Sequence, residues 1–364
     1  MEAAQMITRR NMLAALGGPI VPRPRAPQDQ AFDRIDAHVH IHRVIPDLIA
    51  NLKRDNWRAL SICVWEQFDP QPLDASAVFP GFNTVDELHS RMAQVHRESQ
   101  GRIAWAGTFD AREFEKRSFT ERAIACVERS FRHGAVGIKI WKTIGMKIRG
   151  RSGDYLLPDD RRLLPIYAAI QKADRTLIVH VADPDGAWLP LNSPGNADAT
   201  YYRRNPRWHV GDQPGAPSKE ALLKARDNIL ARYPKLRVVG AHLGSHERDL
   251  SALAKRLAAF PNFAVDCSAR VTNLLEGDRA AARAFLERFQ DRVLYGSDCA
   301  IGSLPDTRII PGVLERENRE WSSLEADAMV SFPGRQLRGL KLPGTVLRKI
   351  FHSNAARWYP GFLA

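Results

Sequence analysis

Six residues able to bind a metal or move a proton recur at one kind of position in this sequence. His38 and His40 are two apart at the end of Arg34-Ile35-Asp36-Ala37-His38-Val39-His40, Lys139 lies in Gly137-Ile138-Lys139-Ile140-Trp141, and His180, His242 and Asp298 each close an apolar run. Alternate side chains of an extended strand share a face. His38 and His40 should therefore point one way and Ala37 and Val39 the other, so that two imidazoles can chelate one cation. The same parity groups Lys139 with Ala135, Gly137 and Trp141 against Val136, Ile138 and Ile140. It also pairs His180 with Ile178, His242 with Gly240, and Asp298 with Gly296. Taken singly, His180 or His242 reads as a hydrogen-bonded core residue, and Asp298 as a cap for the following helix. Lys139 does not, because a buried ammonium either loses its charge or demands a counter-ion. His-x-His, Lys, His, His and Asp at the ends of five strands form the donor set of a metal site.

Imidazoles with one carboxylate suit Zn²⁺, with Mn²⁺ or Fe²⁺ as alternatives. A bound divalent cation lowers the pKa of water from about 15.7 to about 7 and polarises a carbonyl. Asp298 would orient that water, take its proton and pass it to the leaving group. Were Lys139 converted to a carbamate, it would become an anionic bridge between two ions about 3.5–4 Å apart. As an ammonium it would leave one ion and bind a substrate carboxylate instead. The small residues beneath it leave room for a carbamate.

These residues need strands to align them. Eight β-type runs (34–40, 59–65, 102–109, 134–141, 176–181, 236–242, 262–268 and 292–298) alternate with helical spacing at 84–99, 119–132, 160–173, 218–232, 246–259 and 278–290. Several of the runs are apolar throughout, as parallel strands covered on both faces are. Eight β/α units predict an α/β fold, a TIM (β/α)8 barrel, with a doubly wound sheet as the alternative. In a barrel all six residues would meet at the C-terminal mouth. The 36 residues from Ala182 to Pro217, rich in Pro, Gly, Asn and Asp, form a loop over that mouth. Beyond residue 299, helical spacing at 313–330 and a closing helix near 345–357 form an extension packed outside the barrel. Residues 31–364 are expected to be one domain.

The chain has 364 residues, 44% hydrophobic and 26% charged, with a net charge of +12. That excludes disorder and collagen-like structure. Its 41 Arg and 12 Lys are dispersed, often beside Asp or Glu, and no basic run or nucleic-acid motif appears, which argues against a polyanion partner. No CxxC spacing joins Cys63, Cys126, Cys267 and Cys299, so they read as buried thiols. Residues 1–30 are a leader or an unstructured segment. Arg9-Arg10 before a short apolar stretch resembles a twin-arginine export signal, but no clean Ala-x-Ala site follows, and Arg23 and Arg25 stand where cleavage would fall. An exported and a cytoplasmic location both remain open. No apolar stretch reaches the roughly 20 residues of a membrane helix.

Over roughly residues 33–300, and again at Asn354-Ala355-Ala356-Arg357, the chain resembles the amidohydrolase superfamily of metal-dependent hydrolases. The resemblance is to the amidohydrolase-related branch that contains aminocarboxymuconate semialdehyde decarboxylase-like proteins. It implies that His38 and His40 are first-strand metal ligands, His180 the fifth-strand ligand and Asp298 the eighth-strand acid. His242 would be a second-metal ligand or a catalytic acid/base. Lys139 falls where binuclear members carry a carboxylated lysine, which the decarboxylase-like members typically lack. The expected activity is therefore metal-dependent hydrolysis of an ester, lactone or amide in a small, carboxylated molecule. Non-oxidative decarboxylation of a small aromatic or unsaturated acid is the alternative, and a binding barrel without catalysis is a third reading that absence of metal would favour. Trp65, Trp141, Trp188, Tyr201 and Tyr202 could receive a ring, and Arg203, Arg204 and Arg270 a carboxylate. Asp266 is expected to order Arg270 or a ligand histidine. A small-molecule substrate is the partner these features call for, with no membrane and no nucleic acid; a homo-oligomer is compatible with them.

Overall fold

The computed structural model describes residues 32–65, 82–301 and 306–363, with the side chains of 306–309 left aside. The twin-arginine-like segment lies outside the described residues. Eight parallel strands run in sequence order: β1 (Arg34–Ile41), β2 (Trp57–Ile62), β3 (Ile103–Gly107), β4 (Gly137–Ile140), β5 (Thr176–Val179), β6 (Arg237–Gly240), β7 (Phe263–Asp266) and β8 (Val293–Leu294). The chain after β8 continues into β9 (Ala300–Ile301), which pairs in parallel with β1. Bonds from Ala37 N to Tyr295 O, Asp298 N to His38 O and His40 N to Cys299 O complete the ring. This closed order is the expected barrel and excludes the open doubly wound sheet.

Helices α1 (Pro46–Arg54), α2 (Val85–Glu98), α3 (Phe119–Arg132), α4 (Leu164–Lys172), α5 (Lys219–Arg232), α6 (Leu250–Ala259) and α7 (Arg279–Arg288) cover the outside. Their starts are set by side-chain caps where the sequence supplies them. Thr84, Ser218, Asp249 and Asp278 each accept the backbone N–H three residues on. The barrel interior is a separate apolar cluster with members from seven of these strands and from the residue just before β4, among them Ile35, Leu60, Ala104, Val136, Ile178, Val239, Ala264 and Leu294. Among the described residues no helix is long and apolar enough to cross a membrane.

The C-terminal extension does more than pack outside. After α8 (Asp306–Glu325) the chain forms an unexpected hairpin, β10 (Met329–Phe332) and β11 (Arg335–Arg338), in place of the helical spacing read to 330. Pro333-Gly334 is the turn, with Gly334 at φ +76°, a signal the helical periodicity obscured. The closing segment then runs beneath the barrel, where Ala355, Trp358, Tyr359 and Phe362 join the interior cluster and plug its N-terminal end. Asn354 donates to the carbonyls of Gln290 and Val293, both at 2.7 Å, and fastens this plug to the eighth strand.

Candidate metal centre

Parity along β1 fails midway. Ile35 and Ala37 both belong to the interior cluster, whereas Val39 and Ile41 pack with the helices. The pairing with β2 shifts register between Asp36 and Val39. This irregularity brings Ala37 and His38 to the same side, correcting the expected opposition of Ala37 to the histidines. Asp36 holds the bend: its buried Oδ1 accepts the N–H groups of His38 and Ser297, both at 3.0 Å. Burial pushes its carboxyl up to about 7 against those hydrogen bonds.

His242 also reaches the mouth by a different route from the one expected. A Cβ on Gly240 would lie 2.8 Å from the Phe263 ring, so that position faces the helix layer, and Val239 fills the interior instead. His242 and Leu243 then take left-handed backbone, φ +57° and +56°, which costs about 1 kcal/mol or more at each. Several bonds hold this turn. Asp266 Oδ1 accepts His242 N at 3.0 Å, and Arg226 on α5 donates to Gly244 O at 2.7 Å. Asp298 is left-handed too, at φ +59°. Gly296, two residues earlier, leaves room for His38, since a Cβ there would fall 2.6 Å from that of His38. On β5 parity holds, and on β4 it holds from Ile138 onward: Ile138 and Ile140 face the helices and Lys139 is buried on the opposite side, but just before the strand Val136 fills the interior and Ala135 packs with the helices, the reverse of their expected sides.

Three of the histidine tautomers follow from their partners. His38 Nδ1 donates to Asp266 Oδ2 at 2.8 Å, His40 Nδ1 to Ile62 O at 2.8 Å and His242 Nδ1 to Ser268 O at 3.0 Å. Each ring therefore presents the lone pair of Nε2. Those of His40 and His38 lie 3.2 and 3.5 Å from Asp298 Oδ1. These acceptors face one another with no donor between them among the described residues, an arrangement that a cation resolves. Burial makes the cation less readily a proton on His38, whose imidazolium it disfavours, with the Lys139 charge adding to it. Donor atoms of His38, His242 and Asp298 lie within 4.8 Å of one another. The donor set thus fits a divalent metal.

His180 sits beside these three, its ring 4.5 Å from that of His242, with Nε2 turned toward Asp183 Oδ1 at 3.5 Å. Burial pushes its pKa down to about 4 against the pull of Asp183. Burial opposes the charge of Asp298, but His242, His40 and His38 outweigh it and hold the carboxyl well below its usual range. Lys139 is pushed down to about 8 by burial, while Asp266 and Asp298 sustain its charge. All six predicted residues thus converge on the C-terminal mouth, and Asp266 orders a histidine as anticipated.

Two residues escaped the sequence reading. Lys142 Nζ lies 2.7 Å from both carboxylate oxygens of Asp183, and the pair is buried beside His180. Their signal was position, for they stand three residues beyond Lys139 and His180. The long connection is more ordered than a loop, carrying helix Ala199–Arg204 and two 3-10 turns. Within it Arg203 and Arg204 are exposed, and His209 is buried as a staple to Leu189 O at 2.9 Å. A second donor cluster, Asp86, His89 and Cys126, lies between α2 and α3. There His89 Nε2 accepts Thr108 N–H at 3.1 Å, which places its proton on Nδ1 and leaves neither nitrogen open to a cation. All four cysteines are free.

A family model described as Amidohydrolase matches residues 35–361. The chain belongs to the amidohydrolase family. Members bind divalent metals, and this amidohydrolase is a metal-dependent enzyme by that membership. Solved structures are similar in fold. A dihydroxybenzoic acid decarboxylase from Polaromonas sp. JS666, with bound manganese and the inhibitor 2-nitroresorcinol, is 14% identical, with 90% of this chain and 97% of that chain covered and a TM-score of 0.50. The 5-carboxyvanillate decarboxylase LigW from Sphingomonas paucimobilis is 15% identical, with 90% and 99% covered and a TM-score of 0.47. A dihydroorotase from Campylobacter jejuni is 14% identical, with 90% and 83% covered and a TM-score of 0.45. At such identities the likeness concerns the fold alone. No curated protein matches the chain.

Proposed function

We propose that this amidohydrolase hydrolyses an ester, lactone or amide bond in a small, carboxylated molecule. The observation that carries the reading is Lys139, buried at the centre of the mouth where its charge acts on His38 and His180 and is sustained by Asp266 and Asp298. Divalent metal, zinc in the first instance, supplies Lewis-acid polarisation of the carbonyl and hydroxide at neutral pH. His38, His40, His180 and Asp298 would hold one ion. Were the Lys139 amine to take up CO₂ with loss of a proton, the resulting carbamate and His242 would hold a second ion. Asp298, ionised by its imidazole neighbours, accepts the proton of the attacking water and returns it to the leaving group. His242 keeps its Nε2 lone pair toward the reacting atoms because Ser268 O takes its proton-bearing nitrogen.

Product analysis tests this. Metal-loaded protein offered a panel of lactones, esters and amides alongside phenolic and unsaturated acids should open the former with uptake of water. Release of CO₂ without hydrolysis overturns the reading in favour of a carboxy-lyase. Elemental analysis that finds no transition metal in protein refolded with zinc, manganese or iron overturns the metal-dependent mechanism itself.

A further inference from the structure

The end of the barrel opposite the metal centre holds a second concave site. An open cleft of about 440 Å³ lies where α6, α7, the approach to β8 and the closing helix (Asn354–Trp358) meet, a volume within the ~300–1,000 Å³ of small-molecule sites. Leu257, Ala258 and Phe289 give it an apolar side, and Arg288, Arg292 and Arg357 line it with guanidinium groups. Asp291 is the one carboxylate of the lining among the described residues, and Lys349 already holds it, with Nζ 2.9 Å from Oδ1 and 3.1 Å from Oδ2. The charges of Asp291 and Lys349 cancel, so those of the arginines stand uncompensated.

Arg292 is half-buried, and its Nη1 donates to the carbonyls of Leu257, Phe260 and Phe263 at 3.4, 3.1 and 3.0 Å. That anchors its guanidinium at the C-terminal end of α6, where a helix favours a cation, and leaves Nε and Nη2 without a hydrogen bond among the described residues. Arg288 lies over its neighbour Phe289, with Cζ 5.0 Å from the ring centre. Neither Arg288 nor Arg357 makes a side-chain hydrogen bond or an ion pair among the described residues. Burial disfavours the charge of Arg292, and the charge of Arg357 adds to that against the pull of Asp291. Like charges gathered round a hollow with an apolar side, their single counter-ion committed elsewhere, leave room for an anion. We infer that Arg288, Arg292 and Arg357 form a binding site for the phosphoryl group of a small molecule. A monocarboxylate brings one charge, whereas a phosphate monoester brings about −1.5 to −2 with three acceptor oxygens, enough to engage more than one guanidinium fork. Leu257, Ala258 and Phe289 would face the organic part of such an ester. The cleft lies at the N-terminal ends of the strands, away from the reacting bond, and the site does not rest on the proposed function.

The test uses full-length, metal-loaded protein with inorganic phosphate, pyrophosphate and phenyl phosphate as probes, and potassium chloride at matched ionic strength as the control. Brief modification with phenylglyoxal followed by mass spectrometry should show Arg288 and Arg357 protected by at least one probe, while Arg151, exposed in the segment after β4, reacts as before. By calorimetry, the double variant Arg288→Gln, Arg357→Gln should weaken binding of that probe at this site about tenfold or more. Phosphate held at the metal does not depend on these arginines and stays in the double variant. Tighter binding of phenyl phosphate than of phosphate makes the ligand an organic phosphate, and the reverse makes it free phosphate; both support the site. Protection by potassium chloride equal to that by the probes, no protection by any of the three, or a double variant that loses no binding overturns it.

Discussion

His38 Nδ1 and Asp266 Oδ2 lie 2.8 Å apart with both side chains buried, joining the first strand of the barrel to the seventh. Asp266 also takes the backbone N–H of His242 on its other oxygen. One carboxylate therefore sets the tautomer of one histidine and the left-handed turn that carries another. Asp266→Asn should weaken metal affinity about 10- to 100-fold, as read by competition with a chelator. Unchanged affinity would mean that His38 is oriented without it.

Asp298→Asn removes the proton acceptor while keeping the shape. Turnover should fall about 10²- to 10⁴-fold, with the metal content checked in the same sample. A loss below tenfold in a fully metallated variant would assign the proton to another group.

Arg226 is fully buried on α5, paired with Asp227 at 2.7 Å and donating to Gly244 O at 2.7 Å. Arg226→Leu leaves that carbonyl and part of the Asp227 charge uncompensated, so unfolding in urea should show a loss of about 3–5 kcal/mol. Because Gly244 O terminates the turn begun at His242, the folded variant should also bind metal less tightly.

Trp358→Ala should cost about 3–5 kcal/mol, since this side chain closes the interior cluster from below. Deletion of the chain from Trp358 onward should be worse, and both are measured by thermal unfolding. Equal stability would show that the barrel bottom seals without its plug.

Acid should destabilise the protein from well above the carboxylate range. Burial lowers the pKa of His89 to about 4 and that of His42 to about 3, below the unfolded value of about 6.5. Between these limits the unfolded chain binds more protons than the folded one, so stability rises with pH across that window and is lost as pH falls through it. Denaturant titrations from pH 7 to pH 4 should show the decline. His89→Gln should make it shallower, and an unchanged slope would argue that His89 is charged in the folded state.

All eight strands and the six mouth residues are legible in the sequence, because apolar runs closing on a polar residue report both the covered faces of a parallel strand and the end where it opens. His180 also obeys simple alternation, and Lys139 does so against Ile138 and Ile140 although Ala135 and Val136 before it exchange sides. His38 and His242 do not: one reaches the mouth through a register shift, the other through left-handed backbone that tertiary bonds from Asp266 and Arg226 sustain. Alternation is a local rule, and both departures depend on partners from other elements, Ser297 beyond β8 for the first and Asp266 on β7 with Arg226 on α5 for the second. The same limit hid the pairing of Lys142 with Asp183 and the plug formed by Trp358 and Phe362. What the sequence determined by itself is the barrel, its donor set and the strand ends they occupy, since these follow from side-chain type and short-range period. Only the tertiary structure decided which nitrogen each of His38, His40 and His242 presents and that Asp298 faces lone pairs rather than donors. Those properties depend on which groups meet across the closed barrel, and no spacing along the chain records that.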